Sequence, residues 1–183
     1  MMISKFDNVS NIDVDAFICK YNIVLDIDYI SFLVKYNGGF TPKTTFSSKK
    51  ISSDVKGFFG INTEKMNIEN LELREWVKFG CIPIAEDSFG HYCAIGIQPE
   101  DNAIYFVDHE LGKSKIEISN SFRTFVDRCK SKRIKEASTK SVEERERDLI
   151  SKGRGSIITD ELRQLWINEI EKYKNLTQED VVL

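Results

Sequence analysis

The chain has 183 residues, 41% of them hydrophobic and 30% charged, and a formal net charge of −3. That length supports one core-bearing domain with additional elements, and the composition excludes a fibrous or wholly disordered chain. No apolar run approaches the roughly 20 residues a membrane-crossing helix needs, and Met1 to Ser10 lacks the order of a secretory leader, so residence in the cytoplasm is the expectation.

Ile12 to Tyr21 predicts a first helix with Phe17, Ile18 and Tyr21 on one face. After a short link, Asp26 can cap a second helix whose apolar stripe is Ile27, Ile30, Leu33 and Val34. Tyr36-Asn37-Gly38-Gly39 stops it, because Asn and Gly tolerate the left-handed backbone that closes a helix. Thr41 to Asp54 is rich in Ser, Thr and Lys and contains Pro42, which predicts a mobile loop. Val55 to Ile61 reads as a strand interrupted by glycines, and Asn67 to Val77 as a helix around Trp76.

From Cys81 onward the pattern is strand, turn, strand. Cys81 to Ala85 is short, with Pro83 marking an edge or a bulge. Glu86 to Gly90 makes a turn, His91 to Ile97 a strand, Pro99 to Asn102 a turn, and Ala103 to Asp108 and Lys115 to Ile118 two more strands. Short turns between successive strands favour an antiparallel meander. Ser119 to Ser121 can cap a helix carrying Phe122, Phe125, Val126 and Cys129. Composition then shifts: Glu143 to Asp148 suits a solvated helical turn or two, Gly153-Arg154-Gly155 breaks it, and Thr159 starts a last helix striped with Leu162, Leu165, Trp166, Ile170 and Tyr173. That stripe has two destinations, docking back on the main domain or a dimer or partner contact. The expected division is 1–137 for the main domain and 138–183 for a charged linker and docking helix.

Charge is segregated along the chain. Phe79 to Gly112 contains no Lys or Arg but six acids, Glu86, Asp87, Glu100, Asp101, Asp108 and Glu110, whereas Lys113 to Ala137 carries eight basic residues against three acidic ones. A lysine-free acidic stretch can present a surface to a basic partner; acids also favour turn positions for purely local reasons. Catalysis is not expected. Adjacent Glu86 and Asp87 usually point apart, and neither a nucleophile elbow nor a phosphate-cradling glycine loop is present. No cofactor is implied. His91 and Cys93 share a strand face and His109 follows, but their spacing matches no zinc pattern, so no metal site is expected. The scattered Cys19, Cys81, Cys93 and Cys129 suit reduced, mostly buried thiols. The basic run Arg128 to Lys135 lacks interleaved aromatics, so direct nucleic-acid binding is not expected.

Taken in order, Tyr36-Asn37-Gly38-Gly39 after a helix, Phe58-Phe59-Gly60, the helix bearing Trp76, Ile82-Pro83-Ile84-Ala85 with its acidic turn and Gly90, and Ile104 to Glu110 before Ser121-Phe122 resemble the SUKH superfamily, the Smi/Knr-type domain. The likeness spans about Ile12 to Lys132. It implies an α+β fold, a largely antiparallel sheet packed against helices, here with a C-terminal helical extension. It also implies an immunity protein of the bacterial branch, which binds and neutralises a cognate toxin, often a nuclease. The other class it allows is a regulatory scaffold bound to host proteins. On that resemblance Glu86, Asp87, Glu100, Asp101, Asp108, His109 and Glu110 become the candidate partner-binding residues. Tyr36, Asn37, Gly38, Gly39, Trp76 and Gly90 are structural, no membrane is involved, and a homodimer stays open.

Overall fold

Asp26 starts a helix as its sequence context requires. The computed structural model describes residues 1–6, 9–99, 101–108, 114–135 and 138–183. In it the Asp26 carboxylate accepts from the amides of Asp28 (2.7 Å) and Tyr29 (3.3 Å), and helix α2 spans Ile27–Tyr36. Satisfying first-turn donors in this way stabilises by about 1 kcal/mol. The helix closes on Asn37 at φ 47°, with Gly38 at φ 76°.

The buried face of α2 differs from the expected stripe. Tyr29, Phe32, Leu33 and Tyr36 are buried, while Ile27 is 71% exposed and Ile30 and Val34 are half-buried. Three aromatic rings remove more apolar area from water than the aliphatic stripe beside them, so they decide which side of the helix turns inward.

In chain order the elements are β1 (Met2–Lys5), α1 (Asn11–Tyr21), α2, β2 (Gly39–Ser47), β3 (Ser52–Phe58), α3 (Leu73–Lys78), β4 (Cys81–Glu86) and β5 (Tyr92–Gly96). There follow β6 (Ile104–Val107), β7 (Lys115–Ser119), α4 (Phe122–Arg128), β8 (Lys130–Ser131), α5 (Val142–Ser151), α6 (Asp160–Tyr173) and β9 (Glu179–Asp180). The strands form one sheet in the order β7-β6-β5-β4-β3-β2-β1-β9, with β8 also on β2, and the ladders between them are antiparallel. The fold is therefore α+β, with a largely antiparallel sheet packed against helices and a C-terminal helical extension.

Thr41 to Asp54 is not a mobile loop. It is most of the β2–β3 hairpin, with Thr44 opposite Val55 and Phe46 opposite Ser53. Pro42, which cannot donate to a ladder, falls inside the register shift between Phe40 and Thr44. Thr44 and Phe46 are buried on alternate positions, a period-two signal that the surrounding Ser, Thr and Lys obscured. Asn67 to Val77 is likewise not one helix but a 3₁₀ turn at Ile68–Asn70 followed by α3. Pro83 does mark a bulge, between Pro83 and Ala85.

Successive β5 side chains divide the sheet into two faces. Cys93 and Ile95 join the large core, and Ala94 joins a smaller one with Cys81 and Val107, packed against Trp76, Phe79, Tyr92 and Tyr105. The large core is built on rings: Phe32 lies 5.1 Å from Phe58 and 5.2 Å from Phe122, and Tyr29 5.1 Å from Phe122, centroid to centroid. Phe46 of β2 also meets Phe106 of β6 at 6.3 Å, although three strands lie between theirs, so the sheet curls around these rings.

The chain separates into two compact units, residues 1–132 with 179–183, and residues 133–178. The final five residues therefore belong with the sheet: Met2 pairs with Asp180, and the Val182 amide donates to the Tyr36 hydroxyl (2.9 Å). In the second unit, Ser141 and Glu144 form a capping box at the start of α5, Thr159 caps α6, and the Ile134 amide donates to Gln178 Oε1 (2.6 Å).

Candidate protein-interaction site

Antiparallel register brings the C-terminal end of β4, the start of β5 and the end of β6 to one end of the sheet, with Glu86 opposite Tyr92 and Tyr92 opposite Val107. Glu86, Asp87 and Asp108 therefore gather at this end. Each has a different occupation. Glu86 is ion-paired with Lys56 of β3. Asp87 is buried, 3% exposed. Its Oδ1 accepts from the amides of Phe89 and His91, both at 2.9 Å, and its Oδ2 from the Ser53 hydroxyl at 2.7 Å. Asp108 Oδ1 lies 3.3 Å from His91 Nδ1.

Asp87 thus shapes the turn rather than offering its carboxylate outward. Three donors around one buried carboxylate offset its desolvation and fix the 87–91 backbone, and Gly90 takes φ 87° to close it. A fourth acid that sequence reasoning missed joins here: Asp54 of β3 accepts from both the amide and the hydroxyl of Ser88. Phe89, also missed, sits at the tip and is 74% exposed. The readable signal was an aromatic inside a strand-to-strand turn, where small polar residues are the rule.

Asp101 stands apart from this group. It lies beyond the other end of β5, about 14 Å along a five-residue strand. It accepts from the Ala103 amide (3.2 Å) and from the Tyr105 hydroxyl (2.9 and 3.1 Å). Burial first, then this hydrogen bond, pushes the Tyr105 phenol up to about 12. Gly96 is required beside it, since a Cβ there would stand 2.4 Å from the Asp101 carboxyl carbon. Glu100, His109 and Glu110 lie outside the described residues.

The residues read as structural hold the frame. Asn37, buried behind the helix stop, accepts from the Ile61 amide (2.8 Å) through Oδ1 and donates to the Ile61 carbonyl (2.9 Å) through Nδ2. Its side chain so imitates a strand pairing between α2 and the chain after β3. A Cβ on Gly38 would meet the Phe58 carbonyl oxygen at 2.6 Å and one on Gly39 the Ser4 carbonyl oxygen at 2.3 Å, so the helix end lies directly on backbone. Trp76 meets Tyr92 edge-on at 5.4 Å in the smaller core.

Elsewhere, an open cleft of about 680 Å³ runs along the β2–β3 turn and β7, lined by Ser48, Lys49, Lys50, Glu117, Asn120 and Arg128 among others. Its charges are of both signs, and the Arg128 guanidinium is committed to the Ile118 carbonyl (2.8 Å). Among the described residues no three metal-ligating side chains converge, and no helix is long and apolar enough to cross a membrane. Of the cysteines, Cys81, Cys93 and Cys129 are buried and Cys19 is exposed. Burial pushes Cys81 up to about 11 and Cys129 up to about 12, and raises Cys93 well above the ordinary thiol value.

A family model described as SMI1 / KNR4 family (SUKH-1) matches residues 8–128. The chain belongs to this family. No curated protein and no solved structure matches it. The matched SUKH-1 region runs from just before α1 to the end of α4, so it contains the Asn37 clamp, the smaller core, most of the large one and the acidic end of the sheet. The family is one of immunity-type, generally non-catalytic domains.

Proposed function

We propose that this chain is an immunity protein that acts in the cytoplasm, without turnover, by binding a cognate toxin one to one. The observation that carries the reading is the SUKH-1 match over residues 8–128. The acidic end of the sheet supports it and suggests the partner's chemistry. Asp54, Glu86, Asp87 and Asp108 gather there, and Lys56 is tied to Glu86. Nuclease domains have basic clefts because their substrate is a polyanion, so a carboxylate-rich surface competes by resembling it. Such a surface speeds encounter with a basic partner and disfavours acidic ones. Asp87 and Asp101 add to the field but give their carboxylates to the fold, and contact falls to Glu86, Asp54 and Asp108.

Co-expression with the toxin encoded beside this chain tests the reading. Protection, with a 1:1 complex by light scattering, is the expected outcome. Replacing Glu86 and Asp108 together by lysine should slow association at least about tenfold at low salt, with the difference shrinking at 0.5 M salt as screening removes steering. An absence of protection combined with stable complexes with host proteins would move the chain to the scaffold class.

A further inference from the structure

The tip of the 87–91 turn places a large apolar ring where water would normally select a small polar side chain. Phe89 is 74% exposed, and the backbone beneath it is held from several directions. Its own amide donates to Asp87 Oδ1, and the residue before it is tied to Asp54 through both amide and hydroxyl. The His91 amide returns to the same Asp87 carboxylate, and the Asp87 amide donates to the His91 carbonyl at 3.0 Å. A turn fixed in this way cannot swing the ring back over the sheet by a backbone shift. Among the described residues its ring neighbour is His91, 6.3 Å away between centroids and tilted by 31°. Carboxylates flank the tip: Asp54 beneath Ser88, Glu86 one residue before the turn, and Asp108 against His91.

We infer that Phe89 is the apolar anchor of the partner surface, seated in a socket on the partner that is rimmed by lysine or arginine. The inference rests on the immunity reading above and deepens it by naming the contact residue. Charge complementarity selects this occupant. A cation at the socket rim can stack against the ring face and join the flanking carboxylates, whereas an acidic rim would meet like charge, most directly at Asp54, since Glu86 is already paired with Lys56. Aromatic anchors on rigid supports dominate interface energetics because little backbone entropy is lost when they bind. The braced turn supplies that rigidity in the free protein.

The test uses full-length chain and the catalytically inactivated toxin domain encoded beside it. Binding is measured for wild type, Phe89→Ser and Phe89→Trp, with protection on co-expression and thermal melting in parallel. The expected result is at least about a 30-fold rise in Kd for Phe89→Ser, expressed mainly in faster dissociation, with unchanged melting and loss of protection. Phe89→Trp should stay within about threefold of wild type. Protection and affinity equal to wild type in Phe89→Ser would overturn the anchor while leaving the immunity reading standing. A wild-type chain that neither binds nor protects would overturn both. Loss of self-association in Phe89→Ser by light scattering, with toxin binding intact, would assign the tip to a second copy and also overturn the proposal.

Discussion

The two units of this chain use the same helix grammar and different means of holding it. In the unit of residues 1–132 and 179–183, α2 is capped by Asp26, ends on Asn37 and buries Tyr29, Phe32, Leu33 and Tyr36 against Phe58 and Phe122. In the unit of residues 133–178, α6 is capped by Thr159 and also carries an apolar stripe, yet of α5 and α6 the one residue described as buried is Tyr173. Leu165 is 64% exposed. Two ion pairs join α5 to α6: Arg145 to Glu169 at 2.9 Å and Arg163 to Glu146 at 2.6 Å. Arg145 also donates to the carbonyls of Ser138 and Lys140 and lies over Trp166. Capping and amphipathicity therefore make both helices, but burial stabilises by amounts that partly exposed ion pairs do not match.

The strongest way to break this comparison is to empty the aromatic core. Phe122→Ala removes a fully buried ring that touches Tyr29, Phe32 and Phe58, and should destabilise the sheet unit by about 3–5 kcal/mol in urea unfolding. A loss below about 1 kcal/mol would mean the rings are not what holds that unit. Asn37→Ala comes next. It strands the buried amide and carbonyl of Ile61, at about 1–3 kcal/mol for each group left unpaired, and Asn37→Asp should recover little because it cannot donate to the carbonyl.

Alkaline pH sharpens the contrast without mutation. The Cys81 and Cys129 thiols are held protonated up to about 11 and about 12 in the folded state, against 9.0 for an ordinary thiol. Above pH 9 the unfolded chain loses those protons and the folded one keeps them, so stability falls as pH rises. The slope is about 1.4 kcal/mol per pH unit for each thiol, until the folded values are passed. Unfolding at pH 8 and pH 10 under reducing conditions measures it; Cys129→Ala should make the slope shallower, with Cys81 and Cys93 keeping the remainder. A stability that is level from pH 8 to 10.5 would refute the burial of these thiols.

The smallest effect belongs to the helical unit. Raising salt from 0.1 to 1 M should speed amide exchange in 142–173 a few-fold, an effect of under about 1 kcal/mol, while amides of α2 stay unchanged. Arg145→Ala should do the same at low salt. Equal protection of the two helices would erase the distinction between the units.

Several elements could be read in advance because their signals are local. Asp26, Asn37 and Gly38 mark helix ends by the donors and dihedral angles they supply, Pro83 announces a bulge, and Ser121 caps α4. Other elements depend on distant partners. Nothing local in Met2–Lys5 or Glu179–Asp180 announces β1, which pairs with both β2 and β9, or β9, which pairs with β1 across the whole chain. The β2–β3 hairpin hid behind a composition of Ser, Thr and Lys. The choice of rings over aliphatics on α2 was settled by Phe58 and Phe122.

The candidate site divides along the same line. Sequence by itself established a lysine-free acidic stretch from Phe79 to Gly112 and the turns within it, because charge and turn propensity belong to residues one at a time. Only the tertiary structure decided how those acids are used. Strand register set Glu86 and Asp108 at one end and Asp101 at the other, hydrogen bonding turned Asp87 inward, and Asp54 arrived from β3. Which carboxylate faces water, and which ring is left standing in it, depends on contacts between residues tens of positions apart, and those exist only once the sheet has closed.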